Sequence, residues 1–390
     1  MRVKRFSTRL VHGHDYYDEV LGVFIPPIYQ TAIFEQPDRR TGVTRLTDRG
    51  TELKYSREEN PTTRALERAL ALLEEGEDAL AFSSGMAAIS TLYTGLLHSK
   101  AKLIVPLEAY GTTVQLALKL AKFGIEVVKV WPSAEDFVEA IKGGEVVLVE
   151  TMTNPTLRVL DVPEIANRCR EVGATLIVDN TFASPVIYRP LRDGATLVVE
   201  SLTKYIAGHN DVVGGVVAGS STLLRELWEW RRMMGCIAHP FESFLILRGL
   251  KTLEVRFERQ SKTALELAEF LEDHPKVEEV MYPGLQSSSY RRLADKLFYK
   301  RLYGGVVSFK VRGGRDYVVK VLSRVEVIRP SPSLGGTESL LAYPVISAAK
   351  TLAAEDRRKL GITENLLRLS VGLEDPEDLK EDLDRALSQL

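Results

Sequence analysis

The sequence has only two cysteines among its 390 residues, Cys169 and Cys236. Two cysteines are too few for a disulfide framework, and they show none of the short spacings that metal ligands usually have. We therefore expect neither structural disulfides nor a metal site. A chain with so few cysteines fits a reducing, cytoplasmic setting.

The chain also lacks an excess of charge of either sign, a long apolar run and any internal repeat. Its 51 Lys and Arg residues nearly balance 53 Asp and Glu residues, so neither a nucleic-acid nor a membrane partner is expected. No run reaches the roughly 20 apolar residues that a membrane-spanning helix needs. The charged start, Met1–Phe6, is not followed by an apolar segment, so no secretory signal is expected.

What the chain does have is length and a clear change of pattern along it. A chain of 390 residues exceeds what one hydrophobic core usually serves, so more than one domain is expected. Residues 1–55 predict an irregular arm, because prolines and glycines interrupt them. Such an arm cannot bury itself and is expected to lie on another surface, such as a second subunit. We place an α/β domain at 56–250 and a smaller α+β domain at 251–390.

Short apolar runs alternate with helical patterns in the first of these domains. Strands are predicted at 103–105, 127–130, 146–149, 176–178 and 197–199, and helices near 62–75, 112–123, 135–142 and 162–172. Such alternation predicts a mostly parallel sheet with helices on both faces. A long helical stretch at 242–272 follows. Strands at 277–281, 306–311 and 367–371, with helices near 314–323 and 376–389, then predict the α+β domain.

Ionisable side chains follow three successive strands of the predicted parallel sheet. Glu150 and Asp179 each come directly after a strand, and Lys204 follows the next one. Ligands of open α/β sheets bind outside the carboxyl ends of the strands, so these groups are expected at one edge. Ordinary loop capping is the alternative explanation for each of them.

Lys204 has the surroundings that a catalytic lysine needs. A lysine must be unprotonated to attack an aldehyde, and the apolar neighbours of Lys204 could provide a desolvated setting. The hydroxyls of Ser201 and Thr203 could bind a phosphate. The alternative is a solvated surface lysine, which is the usual state of this residue type.

Other segments fit a cofactor that carries a phosphate and an aromatic ring. Gly85 and Met86 open a helix, where backbone N–H groups could bind the phosphate, although an ordinary helix cap is the alternative. Tyr110 could stack on the ring or pack in the core. Asp179 could keep a pyridine nitrogen protonated or cap a turn. Arg368, inside a strand, could grip a substrate carboxylate or form an internal ion pair.

Together these segments resemble the Cys/Met-metabolism family of pyridoxal-phosphate enzymes, which has the aspartate-aminotransferase fold (fold type I). The matching stretches are collinear and cover roughly positions 50–375: Tyr55–Arg57, Asn60–Thr62, Ser83–Ala87, Ala109–Gly111, Glu150, Asn154–Pro155, Val178–Thr181, Ser201–Tyr205, Gly208–His209, Leu247–Thr252, Ser333–Gly336 and Arg368–Gly372. The resemblance implies a large α/β domain with a mostly parallel sheet and a smaller α+β C-terminal domain.

The resemblance also implies a role for each matching residue. Lys204 would hold pyridoxal 5′-phosphate covalently and move protons, Asp179 would pair with the pyridine nitrogen, and Tyr110 would stack on the ring and assist proton transfer. The phosphate would be held by Gly85, Met86, Ser201 and Thr203, and by Tyr55 and Arg57 of a neighbouring subunit. Asn154, Ser333 and Arg368 would orient the cofactor oxygen and the substrate carboxylate, whereas Glu150 and His209 would be structural. Family members are typically homotetramers built from two catalytic dimers.

The activity that the resemblance implies is γ-elimination or γ-replacement on small sulfur amino acids or O-acylhomoserine in trans-sulfuration. The nearest group is cystathionine γ-synthase and γ-lyase, although Pro332 stands where these enzymes usually have Glu, and Gln115 where they often have Arg. Methionine γ-lyases usually have Cys at the position of Thr112. Methionine γ-lyase or O-acylhomoserine sulfhydrylase is the alternative. A non-catalytic regulatory protein with this fold is a further one, which the retention of Lys204 argues against.

Overall fold

The computed structural model describes residues 5–17 and 20–388. In this part of the chain the helices are α1 (Phe6–His12), α2 (Pro61–Glu74), α3 (Gly85–Leu96), α4 (Gly111–Leu120), α5 (Ala134–Ala140), α6 (Val162–Val172), α7 (Ser184–Ile187), α8 (Ser221–Met234), α9 (Pro240–Leu250), α10 (Leu253–Asp273), α11 (Arg291–Leu297), α12 (Arg315–Arg324), α13 (Ala354–Leu360) and α14 (Pro376–Ser388). The strands are β1 (Asp78–Phe82), β2 (Lys102–Pro106), β3 (Glu126–Val130), β4 (Val146–Glu150), β5 (Thr175–Asp179), β6 (Leu197–Ser201), β7 (Gly215–Gly219), β8 (Val277–Met281), β9 (Val306–Val311), β10 (Arg329–Pro330), β11 (Leu340–Ala342) and β12 (Leu366–Ser370).

The first seven strands form one sheet in the order β1-β7-β6-β5-β4-β2-β3. Neighbours from β6 through β3 are parallel, and β7 runs antiparallel to both β1 and β6. Along β4, Val147 and Val149 join one core, while Val146 and Leu148 join another. Helices cover both faces of the sheet, which explains why its central strands are mostly apolar. The predicted mostly parallel sheet is confirmed.

The last five strands form a second sheet in the order β10-β11-β12-β9-β8. All of its pairings are antiparallel except β10 with β11. Helix α14 packs against both α10 and α12 beside this sheet. The smaller α+β unit is therefore confirmed, whereas the exact domain limits at 55/56 and 250/251 stay a prediction. The helical stretch predicted at 242–272 is two helices, because Lys251 and Thr252 separate α9 from α10.

In residues 5–17 and 20–55 the N-terminal arm is irregular except for the short helix α1, which the sequence pattern did not predict. Helix α1 packs on α2, and the Arg9 guanidinium lies 2.8 Å from the Glu75 carboxylate. Further along the arm, the Arg49 guanidinium forms ion pairs of 2.7 Å with Glu67 and with Asp78. These contacts tie parts of the arm to its own chain. No helix of the described residues is long and apolar enough to cross a membrane.

Two carboxyl groups meet in the interior behind strand β6. Glu74 ends α2 and Glu200 lies in β6, and both side chains are buried. The two carboxyls are within hydrogen-bond reach of each other, and Glu200 Oε1 also accepts from Asn180 Nδ2 at 3.0 Å. Burial raises the pKa of both carboxyls, and the Glu74 carboxylate raises the pKa of Glu200 further. A proton held between them would satisfy their facing oxygens.

The Glu74–Glu200 pair should make the stability of the fold depend on pH. We expect Glu74→Gln to weaken this dependence on pH. The folded state holds the proton more tightly than the unfolded chain does, so stability falls as pH rises from the ordinary carboxyl range through the raised pKa. Glutamine donates to Glu200 at every pH. We expect Glu74→Gln to raise the thermal midpoint more at pH 8 than at pH 5, by about 2 °C or more. Scanning calorimetry at both pH values tests this, with Glu229→Gln as a control, and an equal change at the two pH values would contradict it.

Candidate active site

A cavity of about 620 Å³ opens at the carboxyl ends of the parallel strands. Its lining combines residues that follow β2, β4, β5 and β6 with residues of the smaller domain. The predicted site residues that line it are Gly85, Met86, Tyr110, Asn154, Asp179, Ser201, Thr203, Lys204, Ser333 and Arg368. Ten residues from separate parts of the chain are thus brought together in one cavity.

Lys204 lies in the turn after β6, and its amine points to the smaller domain. Its Nζ donates a hydrogen bond of 2.7 Å to Ser333 Oγ. Burial lowers the pKa of the Lys204 amine, and the nearby Arg368 guanidinium lowers it further. The neutral amine is the form that attacks an aldehyde carbon or takes a proton from carbon. The Lys204 amine is therefore partly desolvated and held in the cavity, unlike that of a solvated surface lysine.

Two carboxyl groups lie side by side at the ends of β4 and β5. Asp179 Oδ1 accepts from Thr181 N at 3.0 Å and from Thr181 Oγ1 at 2.6 Å, and burial raises the pKa of Asp179. Glu150 Oε1 accepts from Tyr110 N at 2.7 Å. Burial raises the pKa of Glu150 well above its usual value, and the charge of Asp179 raises it further. A cation placed in the cavity beside Asp179 would favour its ionised form.

The start of α3 forms the opposite wall of the cavity. Ser84 Oγ accepts from Ala87 N at 2.9 Å and caps the helix. A Cβ atom added at Gly85 would lie only 3.1 Å from Ser201 Cβ, so a larger residue would crowd this approach. The hydroxyl of Thr203 accepts from Gly214 N at 3.0 Å. A helix start next to hydroxyl groups is a setting that favours a phosphate.

Arg368 lies in β12 and extends across the boundary between the two sheets. Its Nη1 donates to Asn154 Oδ1 at 2.7 Å, and its Nη2 donates to the Ser333 carbonyl at 2.9 Å. Its buried Nε has no hydrogen-bond partner within the described residues. Burial lowers the pKa of Arg368 to about 10, so the guanidinium stays charged at neutral pH. These donors form a grip for a carboxylate.

Ser333 adopts a backbone conformation that a non-glycine residue seldom takes, with φ of 96°. This conformation directs its hydroxyl to Lys204 and its carbonyl to Arg368. Backbone strain of this kind is concentrated at functional sites, where the surrounding structure holds it in place. Ser333 thus links the amine and the guanidinium of the site.

Tyr55 and Arg57 are the two predicted site residues that do not line this cavity. Both are exposed, Tyr55 at the end of the arm and Arg57 just beyond it, and the Arg57 guanidinium stacks 4.8 Å from the centroid of the Tyr55 ring. Tyr110 remains 48% exposed at the cavity edge, directly before α4. His209 is exposed outside the cavity, whereas Glu150 lines it.

The family model for Cys/Met metabolism PLP-dependent enzymes matches residues 7–388. The chain belongs to this family. The resemblance seen in the motifs is thereby confirmed, and with it the dependence on pyridoxal phosphate.

Known family members are similar to the chain over nearly its whole length. Cystathionine β-lyase from Coxiella burnetii is 39% identical over 98% of this chain and 97% of its own length. Cystathionine γ-synthase from Mycobacterium bovis is 40% identical over 98% of this chain and 96% of its own length. The structure of cystathionine γ-synthase from Xanthomonas oryzae in complex with aminoacrylate and cysteine has a TM-score of 0.92, at 36% identity, and the match covers 99% of this chain and 98% of that one. This neighbour confirms the predicted fold.

The side chains of the cavity fit the cofactor of the family. Asp179 is a half-buried carboxylate that lines the cavity and accepts hydrogen bonds from Thr181, so a protonated pyridine nitrogen in the cavity could pair with it. The start of α3, with the close approach at Gly85, fits a phosphate. Lys204 supplies an amine between these two places. All three requirements of pyridoxal phosphate are thus met within one cavity.

The sequence pattern did not identify several residues that build the site. Glu108 accepts hydrogen bonds from Thr156, and the segment containing Ser347, Ala348 and Thr351 lines the cavity. Glu108 follows the predicted strand 103–105, as Glu150 follows its own strand, so its position was a detectable signal. Residues 347–351 carry no such signal.

Proposed function

We propose that this enzyme catalyses γ-elimination or γ-replacement at a carbon–sulfur or carbon–oxygen bond, in the manner of cystathionine γ-synthase or γ-lyase. The main support is the hydrogen bond of 2.7 Å between Lys204 Nζ and Ser333 Oγ, next to the Arg368 guanidinium. A substrate carboxylate gripped by Arg368 would bring its Cα atom close to the Lys204 amine. Small amino acids are therefore the substrates that this geometry favours.

Each step of the reaction can be assigned to a side chain of the cavity. Bound pyridoxal phosphate supplies an electron sink for the charge left when a proton leaves Cα. Arg368 and Asn154 would hold the substrate carboxylate, and Asp179 would keep the pyridine nitrogen charged. The neutral Lys204 amine would remove the Cα proton, pass this proton to the bound cofactor and, neutral again, remove a Cβ proton. Tyr110, at the cavity edge, would donate a proton to the departing sulfur, which would leave as a thiol.

We also propose a homotetramer of two catalytic dimers in the cytoplasm. Its support is the arm, where Phe24 and Ile33 are 67% and 68% exposed and would be covered by another subunit. Tyr55 and Arg57 are exposed outside the cavity of their own chain, so each would serve the phosphate of the partner. A second cavity of about 680 Å³ adjoins the first at Thr203 and would receive them. The two free cysteines support the reducing compartment.

Methionine γ-lyase or O-acylhomoserine sulfhydrylase is a second candidate function, which Pro332 favours. Pro332 lines the cavity next to Ser333. Its apolar ring offers no ion pair to the distal amino-acid group of cystathionine. A substrate without a distal charge, such as methionine, would not require one.

A substrate panel tests these proposals. L-Cystathionine, L-methionine and O-acetylhomoserine, the last with and without L-cysteine, are incubated with the holoenzyme, and the products are identified by mass spectrometry. We expect cysteine, ammonia and 2-oxobutyrate from cystathionine, or cystathionine from the acylhomoserine–cysteine pair. Pyruvate and homocysteine from cystathionine would show β-elimination and overturn the proposal. If methionine is converted and cystathionine and the acylhomoserine–cysteine pair are not, the second candidate function is selected.

A further inference from the structure

Two loops at the cavity edge are held together by two carboxylates. One carboxylate accepts hydrogen bonds from the second loop, and the other accepts a hydrogen bond from the first. The first loop follows β2 and carries Glu108 and Tyr110, and the second follows β4 and carries Asn154 and Thr156. Glu108 reaches from the first loop to the second, where its Oε1 accepts from Thr156 N at 2.7 Å and its Oε2 from Thr156 Oγ1 at 2.7 Å. Glu150, before the second loop, accepts in return from Tyr110 N at 2.7 Å.

The Glu108 carboxylate is fully buried, and a positive charge lies beside it. The guanidinium Nε of Arg158 lies 3.3 Å from Glu108 Oε2 as an ion pair, and Arg158 Nη2 donates to the Leu360 carbonyl at 3.1 Å. Thr156 and Arg158 both belong to the second loop, and Arg158 extends to the smaller domain. A buried carboxylate with several donors fixes the position of the groups that donate to it.

The contacts of the second loop continue to the substrate grip. Asn154, two residues before Thr156, accepts from Arg368 Nη1 at 2.7 Å. The intervening Pro155 carbonyl accepts from Ser308 Oγ of β9 at 2.6 Å. Because Asn154 fixes one arm of the guanidinium, a displacement of this loop would turn Arg368 away from an incoming carboxylate.

We propose that Glu108 is a positioning residue for substrate binding, which orients Arg368 through Thr156 and Asn154 and is assisted by Glu150 at Tyr110. The proposal rests on the proposed function only in that the substrate is an amino acid gripped by its carboxylate. Glu108 does not line the cavity, so its effect is exerted through these residues.

The test compares Glu108→Gln with a matched variant at Glu145, directly before β4. Glu145 is also buried and accepts backbone hydrogen bonds from Lys142 N at 3.0 Å and Gly143 N at 2.6 Å, far from the cavity. Glycine is the probe, because it has the amine and carboxylate of a substrate and no leaving group. Its dissociation constant is measured on each holoenzyme from the visible absorbance of the cofactor, together with kcat and KM for cystathionine.

We expect Glu108→Gln to weaken glycine binding by about tenfold and to raise KM more than it lowers kcat, because the amide turns an N–H group toward one of the donors. Glu145→Gln should change glycine binding less than about twofold. Thr156→Val removes the hydroxyl hydrogen bond to Glu108 and keeps the backbone one, so it should weaken glycine binding by about threefold. This variant replaces Glu108→Gln in the test if Glu108→Gln does not fold. Unchanged glycine binding in Thr156→Val and Glu108→Gln, or an equal loss in Glu145→Gln, would overturn the proposal. A wild type that binds glycine but converts neither cystathionine nor the O-acetylhomoserine–cysteine pair would contradict the proposed function alone.

Discussion

Replacing Lys204 with alanine is expected to lower turnover by about 10³-fold or more. Lys204 is the only lysine among the described residues that line the cavity, and its amine is held 2.7 Å from Ser333 Oγ. Without this amine, no side chain at that place can remove the Cα proton. Steady-state kinetics on the substrate that the panel identifies would measure the loss.

Lys310→Ala is the matched control for this variant. Lys310 is also partly buried, and its amine pairs with Glu279 at 2.7 Å in the smaller domain, away from the cavity. Turnover of Lys310→Ala should stay within about twofold of wild type, as for most substitutions remote from a site. Undiminished turnover of Lys204→Ala would contradict the assignment of the reactive amine.

Replacing Asp179 with asparagine is expected to lower turnover by about 10²-fold or more and to weaken cofactor binding. An ion pair at contact distance contributes a few kcal/mol at an effective dielectric constant of about 20, and an amide cannot keep a pyridine nitrogen protonated. Thr181 would remain able to donate to the amide oxygen, so the local structure should be preserved. Kinetics and titration of the apoenzyme with pyridoxal phosphate would measure both effects.

The control for Asp179 is Asp161→Asn, since Asp161 also accepts a hydrogen bond from a backbone amide, that of Glu164. Asp161 caps α6 outside the cavity, so its replacement should leave both quantities nearly unchanged. An Asp179→Asn enzyme with wild-type turnover and cofactor affinity would contradict the pairing of Asp179 with the ring nitrogen.

The sequence predicted the parallel part of the sheet and the residues at its carboxyl edge, because both follow from local pattern. The sequence alone predicts that Asp179 and Lys204 lie at the same edge of the sheet, since successive parallel strands end there. Strand β7 was not predicted, because Gly215 and Gly219 weaken its pattern. Helix α1 is only seven residues long, too short for periodicity to identify it.

Contacts between distant segments could not be derived from local pattern. The bond between Asn154 and Arg368 joins residues 214 positions apart, and only the docking of the two sheets brings them together. The role of Asn154 was predicted from the family resemblance alone, whereas the place of Arg368 inside a strand already suggested either a carboxylate grip or an internal ion pair. Glu150 was expected to be structural, and its place in the cavity wall depends on the register of β4 against β5. That Tyr55 and Arg57 bind the cofactor phosphate of a neighbouring subunit stays a prediction.

The central claim is that Lys204 carries the cofactor. Reduction of the holoenzyme with borohydride converts a lysine–cofactor linkage into a stable amine, and peptide mass spectrometry then locates the phosphopyridoxyl group. If Lys204 carries the cofactor, we expect one modified peptide, containing Lys204, and no such peptide from Lys204→Ala. A phosphopyridoxyl group on another lysine, or on none, would contradict it.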